Sequence, residues 1–520
     1  MAGSPPIFPR EYNAAADLIE RNLAGGRAAK IAYLDAFGPV TYAELAERVD
    51  RAGDLLRGLG VQIEQRVLLA LVDTVDFVAV FLGAMKIGAV PVPVNTLLAA
   101  ADYEHLLRDS RARVLVVSDA LLPKLRQARE RSPWLVATVV ADSPAGGPDD
   151  GHPRLKKLLA QAAPRLAPAA TGPDDVAFWL YSSGSTGKPK AAVHLHAHLV
   201  RTATLYAGGV LGLREDDVVL SAAKLFFAYG LGNALTFPLA FGATAVLLAE
   251  RPTPAAVFAA LQQHACSVFG GVPTLFASML ADAAHADVAL PALRVSTSAG
   301  EALPRHVGER WRTRFGSDIL DGIGSTEMLH IFLSNRPGDI RYGTTGVPVP
   351  GYELRLVDDD GQTLTGAVEG ALWVNGPTAA AAYFNDRERS LHTFHGPWTR
   401  TGDRYARDAD GYYTYCGRAD DMLKVGGIWV SPFEVESALA AHPEVLEAAV
   451  VGHADADDLI KPKAFVVARD PGRAGPELVA ALQQFVKDRL APYKYPRWIE
   501  FVAELPKTAT GKIQRFRLRA

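Results

Sequence analysis

A rhythm constrains this fold most: over the first two-thirds of the chain, short aliphatic runs alternate with stretches of helical periodicity. Residues 67–72, 89–94, 113–118 and 137–142 are too short for stable helices and are predominantly apolar. Continuous apolar runs of that length suit strands covered on both faces. Helical patterns lie between them. Thr41-Tyr-Ala-Glu44 is a capping box, followed at helical spacing by Leu45, Val49, Leu55, Leu56 and Leu59. A mostly apolar helix is predicted over 77–87. A Pro/Ala/Gly-rich connection, 143–172, contains a basic helix predicted around 155–166. The rhythm then resumes, with strands at 244–248, 267–269 and 294–297 and helices opening near Pro254, Pro273 and Pro304. Such alternation implies α/β layers with largely parallel sheets flanked by helices.

From about Gly338 the texture changes. Short runs at 346–358, 370–375 and 411–416, separated by glycine and aspartate, predict a small β-rich subdomain. Beyond Gly417 a strand (422–425), a helix (432–441), two strands, a helix (476–490) and a strand (498–502) predict a small α+β domain. The expected division is therefore 1–417, including the β-rich part at about 338–417, and 418–520. Composition narrows the function class. A formal net charge of −3 gives no electrostatic case for nucleic acid as the main partner. Cys266 and Cys416, far apart, suit a reducing compartment. Residues 1–10 lack a basic start and an apolar block, so no signal peptide is expected and a cytoplasmic location is. Residues 225–249 carry no charge and could span a bilayer by length. Gly230, Gly232, Asn233, Pro238 and Gly242 interrupt them, so buried core and a pocket wall are expected, and no membrane partner.

The chemistry centres on Tyr181-Ser-Ser-Gly-Ser-Thr-Gly-Lys-Pro-Lys190, which follows an apolar strand pattern at 176–180. Glycines let successive N–H groups turn toward one anion; the hydroxyls add donors, and Lys188 and Lys190 add countercharge. It is not the nucleotide P-loop, which needs Ser or Thr directly after its lysine and a helix there. Pro189 follows Lys188 and disfavours helical geometry. Five further stretches stand out: Asp321-Gly-Ile-Gly-Ser-Thr-Glu327, ending a strand; Thr401-Gly-Asp403, read as a tight turn carrying an acid; 417–427, mixing charges with two hinge-permissive glycines; Pro432-Phe-Glu-Val-Glu436, opening a helix; and Pro506–Arg515, a lysine-bearing glycine turn. Singly, each reads as a turn or a cap.

Together and in this order they resemble the acyl-adenylate-forming superfamily: acyl- and aryl-CoA ligases, adenylation domains of peptide synthetases, and luciferases. The resemblance covers nearly the whole chain. It implies that ATP and a carboxylic acid give an acyl-AMP and pyrophosphate, and that a thiol then takes the acyl group. By the same resemblance, Ser182, Ser183, Gly184, Ser185, Thr186, Gly187, Lys188 and Lys190 would grip the β- and γ-phosphates. Glu327 would hold Mg²⁺, with Thr326 on the α-phosphate. Asp403 would bind both ribose hydroxyls, a geometry that suits a carboxylate's two acceptor oxygens, and Arg418 would approach the same ribose. Ala299, Gly300 and Glu301, together with Asp321, Gly322, Ile323 and Gly324, match the segments around adenine. Many relatives carry an aromatic at Ile323; here the base would meet an aliphatic face. Lys512 matches the catalyst of adenylation, its ammonium bridging the substrate carboxylate and the α-phosphate. It lies on the small C-terminal domain, which in this superfamily rotates between steps. Asp420 matches the hinge, with Asp421 beside it, and Lys424, Gly426 and Gly427 would line the pantetheine tunnel of coenzyme A.

The acid pocket matches Phe227, Ala228, Tyr229 and Gly230, closed by His330 and Ile331. Aromatic walls beside small residues suit a flat ring, and no basic residue there would pair a second acid group. Residues 224–233 and 328–332 look particularly like those of benzoate–CoA ligases. The implied activity is an aromatic acid–CoA ligase acting on benzoate. The alternatives are a ligase for another aryl or short acid, a carrier-loading adenylation enzyme, a luciferase-like oxygenase and a non-catalytic nucleotide binder. The resemblance leaves room for a homodimer. His194, His196 and His198 alternate as zinc ligands could, but the better reading is that His196 begins a helix.

Overall fold

The computed structural model describes residues 6–148, 151–182, 189–418, 421–425, 428–455, 459–490, 493–507 and 513–519. Its largest sheet has nine strands. Six run parallel at its centre, in the order Asp318–Gly324, Val295–Ser298, Val268–Gly271, Val218–Ser221, Thr244–Val246 and Ile31–Asp35. Antiparallel strands close both edges: Gly38–Thr41 on one, Ile331–Ser334 and then Val347–Pro348 on the other. A second sheet, Val90–Pro93, Arg66–Ala70, Val114–Ser118 and Ala137–Ala141, is wholly parallel. Its middle strands are buried at nearly every position, as their unbroken apolar runs require. The helices that cover these sheets begin as expected. Thr41 and Glu44 form the reciprocal capping box, and helices start at Pro254 and Pro273.

The β-rich part is a six-stranded antiparallel sheet built from Glu353–Val357, Val368–Asn375, Trp398–Arg407 and Tyr413–Arg418, with two short edge strands. The C-terminal residues make a three-stranded sheet, Val445–Ala454, Ile460–Ala468 and Trp498–Phe501, covered by the helices Pro432–Ala440 and Pro476–Lys487. Two apolar clusters under this sheet draw only on residues from Leu423 onward. The molecule is thus a large α/β body with layered sheets, followed by a smaller α+β unit.

Three expectations need correction. Thr401-Gly-Asp403 is not a turn: it lies inside the strand Trp398–Arg407, where Gly402 takes a φ of +77° and the register slips against Ala371–Trp373. A left-handed glycine lets a strand bulge without ending. The basic helix is Leu155–Gln161, shorter than 155–166, because Pro164 cannot continue it. Residues 346–358 do not serve one sheet: Val347–Pro348 joins the nine-stranded sheet and Glu353–Val357 the β-rich one. Residues 225–249 fold into short helices and a strand, and no described helix is long and apolar enough to cross a membrane.

Candidate active site

The strands on either side of the glycine-rich stretch pair with each other. Val176–Ser182 pairs antiparallel with Lys190–Leu195, and Ser182 lies opposite Lys190. Residues 183–188, with six of the predicted phosphate-binding positions, lie outside the described residues. At the foot of the hairpin the Ser182 hydroxyl is buried with no hydrogen-bond partner among the described residues. Burying a hydroxyl without a partner is costly, and an incoming acceptor would relieve it.

Opposite stands Glu327. Its Oε1 lies 3.2 Å from Lys190 Nζ and accepts a 2.6 Å hydrogen bond from the Tyr383 hydroxyl. Lys190 in turn donates to Tyr383 Oη at 2.6 Å. Burial would raise the Glu327 carboxyl, but the Lys190 charge and the Tyr383 hydroxyl outweigh it and hold the group below its ordinary range. The turn carrying Glu327 is pinned by its main chain: Glu327 O accepts from Ala380 N at 2.7 Å, and Thr326 O from His194 Nε2 at 2.8 Å. Leu329 takes a φ of +66°, unusual for a branched side chain, and Thr378 Oγ1 donates to the neighbouring Met328 O at 2.8 Å.

Of the adenine candidates, Asp321 closes the parallel part of its strand, paired in register with Ser298. Burial pushes its carboxyl well above the ordinary range, and its Oδ1 has no hydrogen-bond partner among the described residues. Gly300 has a φ of +98°, which favours glycine at that turn. Ile323 lies two residues beyond Asp321 on the same strand and is half-buried. Asp403 and Arg418 face each other across neighbouring strands, with Arg418 Nη1 3.4 Å from Asp403 Oδ1.

The acid-pocket candidates divide. Tyr229 and His330 come together, with His330 Nε2 3.3 Å from Tyr229 O and its ring 4.5 Å from Phe237 and 5.3 Å from Tyr206, whereas Gly230 lies against the carbonyls of Ala223 and Lys224. A Cβ on Gly232 would meet His330 at 2.3 Å, so glycine there makes room for the imidazole. Burial pushes His330 down to about 3, so it is neutral, and its Nδ1 has no hydrogen-bond partner among the described residues. Ile331 packs against Gly322, joining the acid-pocket candidates to the adenine candidates. Phe227 and Ala228 face a different apolar cluster, the one containing Leu225 and Phe226.

His196 does begin the helix His196–Thr202, and its Nδ1 accepts from Ala14 N at 3.1 Å. Asp420, Gly426, Gly427 and Lys512 lie outside the described residues, as does the Lys424 side chain. What is described around Lys512 is its frame: Lys507 bridges Ile513, and Gln514 N donates to Pro506 O at 2.8 Å. Sequence reasoning missed Tyr383, the role of His194, and Asp73, whose carboxylate accepts from Leu225 N in the pocket wall at 3.2 Å. None sits in a glycine-bearing motif, and each acts on a partner remote in the sequence.

Comparison with known proteins agrees with this arrangement. The model of the AMP-binding enzyme family matches residues 20–384, and that of the AMP-binding enzyme C-terminal domain matches residues 434–512. The chain is 59% identical to a benzoate–CoA ligase of Thauera aromatica, over 100% of this chain and 98% of that one. It is 51% identical to a 4-hydroxybenzoate–CoA/benzoate–CoA ligase of Rhodopseudomonas palustris, over 98% of this chain and 94% of that one. Among solved structures, a benzoate–CoA ligase from Burkholderia xenovorans LB400 superposes with a TM-score of 0.90 at 53% identity, covering 98% of this chain and 100% of that one. An anthranilate–CoA ligase, AuaEII, in complex with anthranoyl-AMP gives 0.94 at 44% identity, with 98% and 97% covered. With these motifs in order and relatives matching end to end, the chain belongs to the AMP-binding enzyme family, the acyl-adenylate-forming superfamily its sequence resembles.

Proposed function

We propose that this chain is an AMP-forming aryl-acid–CoA ligase and that its substrate is benzoate. In the first step a benzoate oxygen attacks the α-phosphorus of ATP, the bond to the β-phosphate oxygen breaks, and pyrophosphate leaves. In the second the CoA sulfur attacks the acyl carbon, the bond to AMP breaks, and the thiol proton passes to water. The observation that carries this reading is the Lys190–Glu327 pair at the foot of the glycine-rich hairpin, three residues along the chain from a neutral His330 in an aromatic wall.

Each proposed role follows from chemistry. The hairpin, from Ser182 through Lys190, binds the β- and γ-phosphates, and the unpartnered Ser182 hydroxyl supports it there. Asp403 and Arg418 hold the ribose, with Arg418 close enough to orient the Asp403 carboxylate. Residues 299–301 and 321–324 frame adenine, and Asp321 Oδ1, without a hydrogen-bond partner among the described residues, suits an amino-group donor. Thr326 reaches the α-phosphate. Lys512 bridges the two reacting anions in adenylation, and the glycines at 426 and 427 line the thiol's path once the C-terminal unit has turned about Asp420. Glu327 fits a magnesium ion arriving on the triphosphate, since Mg²⁺ takes one or two carboxylates beside phosphate oxygens. Such an ion, when bound, spreads the negative charge of the phosphates. The two widely separated cysteines support a cytoplasmic location for the reaction.

A panel of acids tests the substrate. AMP and thioester formation are scored with benzoate, 2-aminobenzoate, 4-hydroxybenzoate, cyclohexanecarboxylate and hexanoate. Benzoate should give the highest kcat/KM, with AMP and thioester in equal amounts. A preference for hexanoate would reject the aromatic pocket, and AMP release without thioester would reject CoA as acceptor.

A further inference from the structure

Tyr383 stands where the hairpin and the Glu327 turn meet. Residues 381–384 run along the hairpin strand: Val193 N donates to Ala382 O at 3.0 Å, Ala381 N to Val193 O at 2.9 Å, and Phe384 N to Ala191 O at 2.8 Å. One residue earlier, Ala380 N holds Glu327 O at 2.7 Å. The segment is therefore bonded through its main chain to both halves of the site, and the Tyr383 side chain, 2% exposed, points to where those halves touch.

The direction of its two hydrogen bonds is fixed by the partners. A carboxylate only accepts and an ammonium only donates, whereas a phenol has one proton and two lone pairs. The bonds therefore run from Lys190 to Tyr383 and from Tyr383 to Glu327, a closed triangle with the 3.2 Å ion pair as its third side. In that triangle Lys190 and Tyr383 both meet the carboxylate at one oxygen, Oε1. We infer that Tyr383 is a positioning residue for nucleotide binding. Its hydroxyl sets the Glu327 carboxylate and the Lys190 ammonium before ATP arrives, and it remains the partner of Glu327 when Lys190 turns to phosphate. This rests on the assignment of Glu327 and Lys190 to Mg-ATP proposed above.

Tyr383→Phe keeps the ring against Phe394, at 5.3 Å, and removes only the hydroxyl. Calorimetry on the full chain without acid or CoA should show Mg-ATP binding weakened about tenfold to a hundredfold, the scale of one hydrogen bond to a charged group. The free protein should stay folded, with a melting temperature lowered by no more than the loss of one buried hydrogen bond, while the KM for benzoate and thioester formation from supplied benzoyl-AMP should stay close to the parent's. Glu327→Gln alone should also weaken Mg-ATP, and adding Tyr383→Phe to it should cost less than about twofold more, because Tyr383 acts through that carboxylate. A folded Tyr383→Phe protein with the parent's Mg-ATP affinity overturns the inference, as do fully additive losses in the double variant. Unchanged affinity in Glu327→Gln overturns the site assignment itself, and the role of Tyr383 with it.

Discussion

At the scale of single residues, a neutral side chain holds the charged ones in place. His194, fully buried and stacked 5.2 Å from Phe178, donates from Nε2 to Thr326 O beside Glu327, while its Nδ1 lies 3.2 Å from His198 Nδ1. Burial pushes it down to about 4, so it enters this contact uncharged. His194→Ala leaves a cavity and a carbonyl without its imidazole donor. The expected loss is about 2–4 kcal/mol of stability in a denaturant titration, with adenylation reduced more than thioester formation. A stability loss with both half-reactions unaffected would make the residue merely core. Glu327, Lys190 and Asp403 stood out in the sequence as candidates because charge beside glycine and hydroxyl residues leaves a local pattern. Tyr383 and His194 were not, since their partners lie 56 and 132 positions away.

At the scale of elements, the proposed pocket wall is fastened from another sheet. Asp73, just beyond the strand Arg66–Ala70, accepts from Leu225 N, and Lys224 reaches the carbonyls of Leu248 and Glu250. Gly230 closes this segment so tightly that a Cβ would meet Lys224 O at 2.1 Å. Burial pushes the Asp73 carboxyl up to about 6 from its ordinary 3.8, against the opposing pull of Lys224 and the Leu225 N–H. Because the folded value is the higher one, the stability Asp73 lends is full below about pH 3.8 and is lost as pH rises through about 6. The stability of the parent minus that of Asp73→Asn should therefore fall between pH 4 and 7, by on the order of 2 kcal/mol. Melting curves across that range check it, and a difference that stays flat or rises contradicts it. The parallel strands were readable because aliphatic runs buried on both faces have few other uses. The strand Trp398–Arg407 was not, because Gly402 looks the same in a turn and in a bulge, and only its neighbouring strands decide which it is.

At the scale of the whole molecule, the C-terminal unit has its own core and its own ionic lock. Arg515 binds both oxygens of Glu436, at 2.9 and 2.7 Å, and Glu436 also accepts from Val450 N at 2.7 Å. Asp421, beside the proposed hinge, pairs with Arg515 and Arg519. Arg515→Met would leave Glu436, 7% exposed, without its cation. Breaking such a pair from one side should cost about 3–5 kcal/mol of stability in a denaturant melt; a loss below about 1 kcal/mol would show the pair to be idle. The two-part organisation was visible in the sequence as a change of texture after Gly417, whereas rotation of one part against the other leaves no mark on composition. The proposed rotation brings Lys512 to the nucleotide for the first half-reaction and takes it away for the second. Lys512→Ala, assayed separately for adenylate formation and for thioester formation from supplied benzoyl-AMP, tests this most directly. The predicted result is a loss of at least about a hundredfold in the first, the scale of a lost transition-state donor, with the second preserved. Equal losses in both would contradict it.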